Sequence, residues 1–286
     1  MLLVKAVICL LLPAALHAQD SNIQRWVLVT PPETVSFANA QLGDIEVSQD
    51  GHAAKQGRPT IQQEVLFRIG LVFDESGSGR HDVLLEHVLG WAGDTLQRRK
   101  GDVFLVGFND LIVISTEITN NTSQLRLALS QMRPFGGSAI RDAIVHSSQK
   151  FDSVRQESQP MARLLVIVSD GHDNASYAKE RNVIESVQRS GVRVYVIGLP
   201  SGGTSDGRSF LEHLSSDTGG QAFVPTDQND LDRALAAIER VITNSFLIGF
   251  VPEAHDGKAH KLTVKLPKAG NINLGYMPVF YSPAAR

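Results

Sequence analysis

Apolar positions change their period near Val65. Before it, across residues 19–63, short apolar pieces at 26–29, 34–37 and 44–47 sit among Pro, Gly, Asn and Gln, and Asp50-Gly51 reads as a turn. After it, apolar runs of strand length alternate with stretches whose apolar residues recur every three or four positions. Strands are predicted at 65–73, 103–108, 111–118, 164–168, 192–199 and 222–224. Helices are predicted at 83–96, 125–132, 139–151, 177–189, 210–214 and 231–242, the last marked by Leu231, Leu235, Ile238 and Ile242 on one face. Asn109-Asp110, two residues that tolerate positive φ, is expected to join its flanking strands as a hairpin. Such β–α alternation predicts an α/β protein: a three-layer, doubly wound, mostly parallel sheet with one hairpin edge strand.

The tail returns to the texture of the preface, with strand-like pieces at 246–251, 260–266 and 271–276 and turns at Asp256-Gly257 and Ala269-Gly270. The two ends are therefore expected to pair into a small β-domain beside the main one. The resulting division is 1–18, a β-rich N-terminal extension over 19–63, the α/β domain over 64–245, and a β-rich C-terminal extension over 246–286.

Composition adds a destination. Lys5, the apolar stretch 6–12 and small residues up to Ala18 read as a secretory signal cut before Gln19. The apolar core of that signal is too short to span a bilayer, and nothing later is longer or more apolar. The only cysteine, Cys9, lies inside the signal, so the mature chain is expected to carry no disulfide, thiolate metal site or cysteine nucleophile. An exported, cysteine-free chain suits a bacterial periplasm or secretion. The 286 residues are 42% hydrophobic and 20% charged, and the net charge of −3 becomes −4 once Lys5 is removed. The charges are interspersed without a basic stripe, so nucleic acid is not an expected partner.

Candidate chemistry collects where strands hand over to helices. Asp74, Ser76 and Ser78 alternate in Phe73-Asp-Glu-Ser-Gly-Ser-Gly79, so a period of two aims their oxygens the same way. Ser138 follows Gly136-Gly137, and Asp170 lies in Val168-Ser-Asp-Gly-His-Asp173. In a parallel sheet these turns converge outside the carboxyl ends of the strands. Two carboxylates and three hydroxyls make a hard-oxygen site for Mg²⁺, or for Mn²⁺ or Ca²⁺. Two carboxylates roughly neutralise such an ion, and neutral serines leave it electrophilic enough to accept a carboxylate from a partner. Asp142, four residues after Ser138 on one helix face, is expected to orient that serine or a bound water. His172 and Asp173 are expected to face solvent.

The Asp-x-Ser-x-Ser after a buried strand, the Gly-Gly-Ser opening a helix and the apolar strand ending in Ser-Asp-Gly together resemble the von Willebrand factor type A domain over roughly residues 64–245. Ile140-Arg-Asp-Ala-Ile144, Phe246-Leu-Ile-Gly-Phe250, Gly43-Asp-Ile-Glu-Val47 and Asp50-Gly51 look like its exported bacterial branch, often called "VWFA-related". The resemblance implies a metal-ion-dependent adhesion site. Ser76, Ser78 and Ser138 would be direct ligands, with Asp74 and Asp170 acting directly or through water. Thr is commoner than Ser at position 138 in this family; Ser138 keeps the oxygen and loses a methyl. The implied function is non-enzymatic: metal-dependent binding of a protein that presents an acidic residue.

Two other functions stay open. Asp74 followed by Glu-Ser-Gly-Ser also resembles the nucleophile loop of haloacid-dehalogenase-type phosphatases, with Ser169-Asp-Gly-His-Asp173 as their acidic loop. Against that, Ser76 stands where those enzymes carry Asp or Thr, and no lysine opens a helix in the right region. A metal-free scaffold is the third.

Overall fold

The structure, a computed structural model, describes residues 24–33, 44–53, 59–77, 82–153, 159–199, 205–267 and 272–284. The chain opens with four short strands, β1 (Arg25–Val29), β2 (Glu46–Gln49), β3 (His52–Ala53) and β4 (Thr60–Gln62). The α/β portion runs β5 (Leu66–Asp74), α1 (Asp82–Arg98), β6 (Gly101–Phe108), β7 (Ile112–Ser115), α2 (Thr122–Gln131) and α3 (Ile140–Asp152). It continues as β8 (Met161–Ser169), α4 (Glu180–Arg189), β9 (Val192–Gly198), α5 (Ser205–Asp217), β10 (Gln221–Phe223) and α6 (Gln228–Asn244). Three strands close the chain: β11 (Phe246–Phe250), β12 (Ala259–Lys265) and β13 (Val279–Tyr281).

The central sheet has six strands in the order β10-β9-β8-β5-β6-β7, every pair parallel except the β6–β7 hairpin. β5 and β8 are buried on both faces, as their continuous apolar runs demand. One face of the sheet, through Ile69, Leu71 and Phe73, packs on α1, α2 and α6; the other, through Val72, Leu165 and Ile167, packs on α3, α4 and α5. This is the three-layer α/β architecture that the alternation of strand and helix patterns predicts. The chain winds outward from β5 to β6 on one side and from β8 to β9 on the other, so the strand order reverses between β5 and β8. Crossovers leave that point in opposite directions and open a crevice at the carboxyl ends of those two strands.

Strands from before and after the α/β portion meet. β1 pairs with β11, which pairs with β4, and β2 pairs with β12, all antiparallel. Val27, Val29, Val47, Phe246, Ile248, Leu262 and Phe280 share a third apolar cluster. Asp50 and Gly51, at φ 52° and 86°, form the tight turn between β2 and β3. Among the described residues, no helix is long and apolar enough to cross a membrane.

Several expectations shift. The expected strand at 34–37 and the signal at 1–18 lie outside the described residues. Residues 272–276 contribute only an isolated bridge from Gly275 to Thr30, and the strand beside β12 is β13, further on. The β6–β7 hairpin closes over Asn109, Asp110 and Leu111, with Phe108 opposite Ile112. Neither Asn109 nor Asp110 takes positive φ; Asn109 Oδ1 instead accepts the Leu111 N–H at 3.1 Å, a side-chain turn that needs no left-handed residue. Helix α5 is longer than its apolar core, because Phe210, Leu211 and Leu214 are its buried face and its first turn is polar and outward.

Candidate metal centre

Asp74 ends β5 and is 3% exposed, so a carboxylate is carried into the crevice with little water around it. Its Oδ2 accepts the Ser169 hydroxyl at 2.6 Å and the Ser138 hydroxyl at 3.3 Å. Its Oδ1 accepts the Ser76 amide at 3.0 Å. Residues from three separate turns therefore meet at one carboxylate, across sequence separations of 64 and 95. Burial pushes the Asp74 carboxyl above its ordinary range; the Ser169 and Ser76 hydrogen bonds pull against this, and the charge of Asp170 pushes further the same way. Asp170, half-buried, accepts the His172 amide on Oδ1 at 2.8 Å.

The three turns are stitched by backbone. Glu75 N–H reaches Phe108 O at 2.8 Å, Phe135 N–H reaches Glu75 O at 3.0 Å, and Gly77 N–H reaches Gly136 O at 3.1 Å. Gly171, at φ 84°, turns the third loop back against α5, where a Cβ would lie 3.0 Å from the Arg208 nitrogen. Asn174 clamps the second loop to the third: its Oδ1 accepts the Ser138 N–H at 2.8 Å, and its own N–H reaches Ser138 O at 3.0 Å. Gly137 allows that approach, since a Cβ there would sit 2.4 Å from Asn174 Oδ1.

The structure brings together Asp74, Ser76, Ser138 and Asp170; Ser78 lies outside the described residues. The Asp142 carboxylate, expected to orient Ser138 or a bound water, bonds to the third loop. Its two carboxylate oxygens accept the Tyr177 and Ala178 N–H groups at 3.0 and 2.8 Å, pinning the third loop to α3. Helix α4 starts at Glu180, three residues later than the predicted 177. Asp173 does not face solvent either. Arg141 donates to it at 2.9 Å, and this bond with that of Ser176 outweighs burial and holds its carboxyl below the ordinary range.

Two residues went unread in the sequence. Ser169 looks like the last residue of a strand, yet it is fully buried, donates to Asp74 and accepts the Gly171 N–H at 3.0 Å. Asn174 carries no local signal at all; only the folded chain places it beside Ser138.

The donor set fits a small hard cation. Buried serine hydroxyls and two mutually repelling carboxylates are the oxygen ligands such ions take, and no group of three or more His, Cys, Asp or Glu among the described residues offers a softer or more acidic alternative.

The sequence profile described as the von Willebrand factor type A domain matches residues 69–237, more than half of the chain. Human inter-alpha-trypsin inhibitor heavy chain H4 is 26% identical over 226 residues, which is 73% of this chain and 23% of that protein, so the chain spans under a quarter of this curated relative. Among solved structures, a von Willebrand factor type A protein from Catenulispora acidiphila is 12% identical with a TM-score of 0.48, covering 87% of this chain and 75% of its own. BatB from Bacteroides thetaiotaomicron is 17% identical with a TM-score of 0.47, covering 62% of this chain and 97% of its own. Domains matched by this profile generally mediate protein–protein interaction, often through a metal ion, and are generally not enzymes. From the profile match, which runs from β5 into α6, the chain belongs to the von Willebrand factor type A domain family.

Proposed function

We propose that this protein is an exported, non-enzymatic binding module whose divalent cation links it to an acidic residue of a protein partner. Asp74, Ser76, Ser78, Ser138 and Asp170 would hold the ion, Mg²⁺ or in its place Mn²⁺ or Ca²⁺. When bound, the ion supplies a Lewis-acidic position that a partner carboxylate can occupy. The observation that supports this most is Asp74, a buried carboxylate raised above its ordinary range beside a second carboxylate and ringed by serine hydroxyls. Such a charge is costly alone and is relieved by a cation.

The protein's own residues do the positioning. Ser169 and the Ser76 amide hold the Asp74 carboxylate in one orientation, and Asn174 holds Ser138. Arg141 is already paired with Asp173, so it does not compete as the counter-ion of Asp74. Export, to a bacterial periplasm or beyond, is part of the same proposal and rests on residues 1–18.

Calorimetric titration with Mn²⁺ and Mg²⁺ tests it. The wild type should bind one ion, and Asp74→Ala should reduce affinity by about 100-fold, the scale of losing a charged ligand and its buried hydrogen bonds. A wild type that takes up neither ion, or an Asp74→Ala variant that binds as the wild type does, removes the metal from the account. Ester hydrolysis that requires Mg²⁺ and is lost in Asp74→Asn would favour the phosphatase instead.

A further inference from the structure

At the opposite end of the sheet, a cleft of about 290 Å³ separates the amino ends of β8 and β9 from β1 and β13. Four arginines line it, Arg25, Arg163, Arg189 and Arg193, and a single acid, Asp152. Three of these arginines have work. Arg163 donates to Asp152 at 2.8 Å and to Ser190 O at 2.9 Å. Arg189 pairs with Glu185 at 2.8 Å and lies 4.1 Å over the Tyr281 ring. Arg193 donates to Thr30 Oγ1, Leu28 O and Gly275 O. Asp152 is also taken, its second oxygen accepting the Ser190 hydroxyl at 2.6 Å.

Arg25 is the exception. Its Nε is buried and meets no hydrogen-bond acceptor among the described residues. Burial lowers its pKa from the ordinary value, the like charge of Arg163 lowers it further, and Asp152 opposes them incompletely. That Nε donor has room for an acceptor that an anion could supply.

The wall beside Arg25 says what could carry that anion. Among the described residues β1 is the edge of its sheet, with β11 as its strand partner. On the outer edge, Thr30 and Gly275 exchange both backbone hydrogen bonds at 2.8 Å, and the Leu28 carbonyl accepts Arg193. Alternation by two puts the Trp26 N–H and C=O on that same edge, and Trp26 is one of the residues that line the cleft. Among the described residues, that edge is bonded at Thr30 and at the Leu28 carbonyl and has no backbone partner at Trp26. An extended chain placed there would continue the line begun by Gly275.

We propose that this cleft binds a carboxylate carried on a short extended peptide, which adds to the outer edge of β1 at Trp26 and sets its acidic group on Arg25. At about 290 Å³ the cleft lies at the lower end for ligand sites, which suits a short segment of chain. It is independent of the cation site, which lies at the other end of β5 and β8.

Trp26 reports on it. With Trp91→Phe, Trp26 is the remaining tryptophan, and its fluorescence can be followed as the full mature protein is titrated with acetyl-Val-Thr-Val bearing a free carboxylate, its C-terminal amide, and inorganic phosphate. The free acid should bind at least tenfold more tightly than the amide. Arg25→Met should lower that affinity at least tenfold and Arg25→Lys less, because a lysine keeps charge without the planar fork. Arg189→Ala, at the half-exposed mouth, should lower it several-fold and guards against an Arg25 variant that fails to fold. Chelator and Asp74→Ala should change none of these values, so loss of the cation reading leaves the result interpretable. Equal binding of acid and amide, wild-type affinity in Arg25→Met, or tighter binding of phosphate than of the peptide overturns the proposal.

Discussion

At the carboxyl end of the sheet, β5 and β8 finish in Asp74 and Ser169, with Asp170 next; at the amino end, β8 and β9 begin beside Arg163 and Arg193, with Arg25 across the gap. Burial disfavours the charged form at both ends, raising the Asp74 carboxyl and lowering the Arg25 guanidinium. The nearby Arg68–Asp102 pair shows what neither has, a buried arginine bonded at 2.6 and 2.8 Å to both oxygens of one carboxylate. The origin of the two gaps differs. The carboxyl-end crevice follows from reversal of strand order between β5 and β8 and belongs to the α/β fold itself. The amino-end cleft exists only because β1 and β13 lie across strand ends that would otherwise meet water. Both proposed sites rest on a charged group whose burial is under-compensated, the Asp74 carboxylate and the Arg25 Nε, but the fold accounts for one and the extensions for the other.

The contrast breaks most visibly at Asp74. Asp74→Ala should cost about 100-fold in Mn²⁺ affinity by calorimetry while leaving the Trp26 fluorescence titration unchanged. Coupled losses at both ends would mean that the two are not separate. Ser169→Ala should then lower unfolding free energy by about 2 kcal/mol in urea titration, since it leaves a buried carboxylate oxygen and the Gly171 amide short of a partner. Asp142→Ala removes two charge-assisted bonds to Tyr177 and Ala178, and should cost about 1–2 kcal/mol. Amide exchange should speed up across 171–178 and remain unchanged in β1. Asn174→Ala should weaken Mn²⁺ binding by about tenfold, the usual scale for a residue that positions a ligand, with little change in melting temperature.

The smallest effect belongs to the extensions. Burial pulls the His260 ring down, but hydrogen bonds to Asp256 and Asp50 overcome it and hold the ring above its ordinary 6.5. A raised histidine stabilises the fold fully below the unfolded value, and that stabilisation is lost as pH rises through the folded value. Melting temperature should therefore drop by about 1–2 °C on going from below pH 6.5 to mildly alkaline pH, and His260→Gln should flatten the slope. A slope unchanged in His260→Gln would place the titrating group elsewhere.

Periodicity along the chain was enough for the six-stranded core, because a strand buried on both faces must be apolar throughout and a helix must show its stripe. The alternation of Asp74 and Ser76 and the glycines before Ser138 were legible for the same local reason: each turn carries its own geometry. Ser169 and Asn174 were not, since their roles lie in hydrogen bonds spanning 95 and 36 positions. The bonds from Tyr177 and Ala178 to Asp142 were not legible, because helical spacing names the neighbour on its own helix and says nothing of a loop folding over it. The strand at Val279–Tyr281 was not read, since it follows Pro278 and precedes Pro283 with little apolar pattern of its own. What the linear chain determined alone was where strands, helices and their polar handovers fall, properties written into each residue's own neighbourhood. Which carboxylate is buried, which arginine lacks an acceptor, and which edge of β1 stays open were decided only by tertiary packing, because desolvation and pairing depend on what distant segments bring alongside.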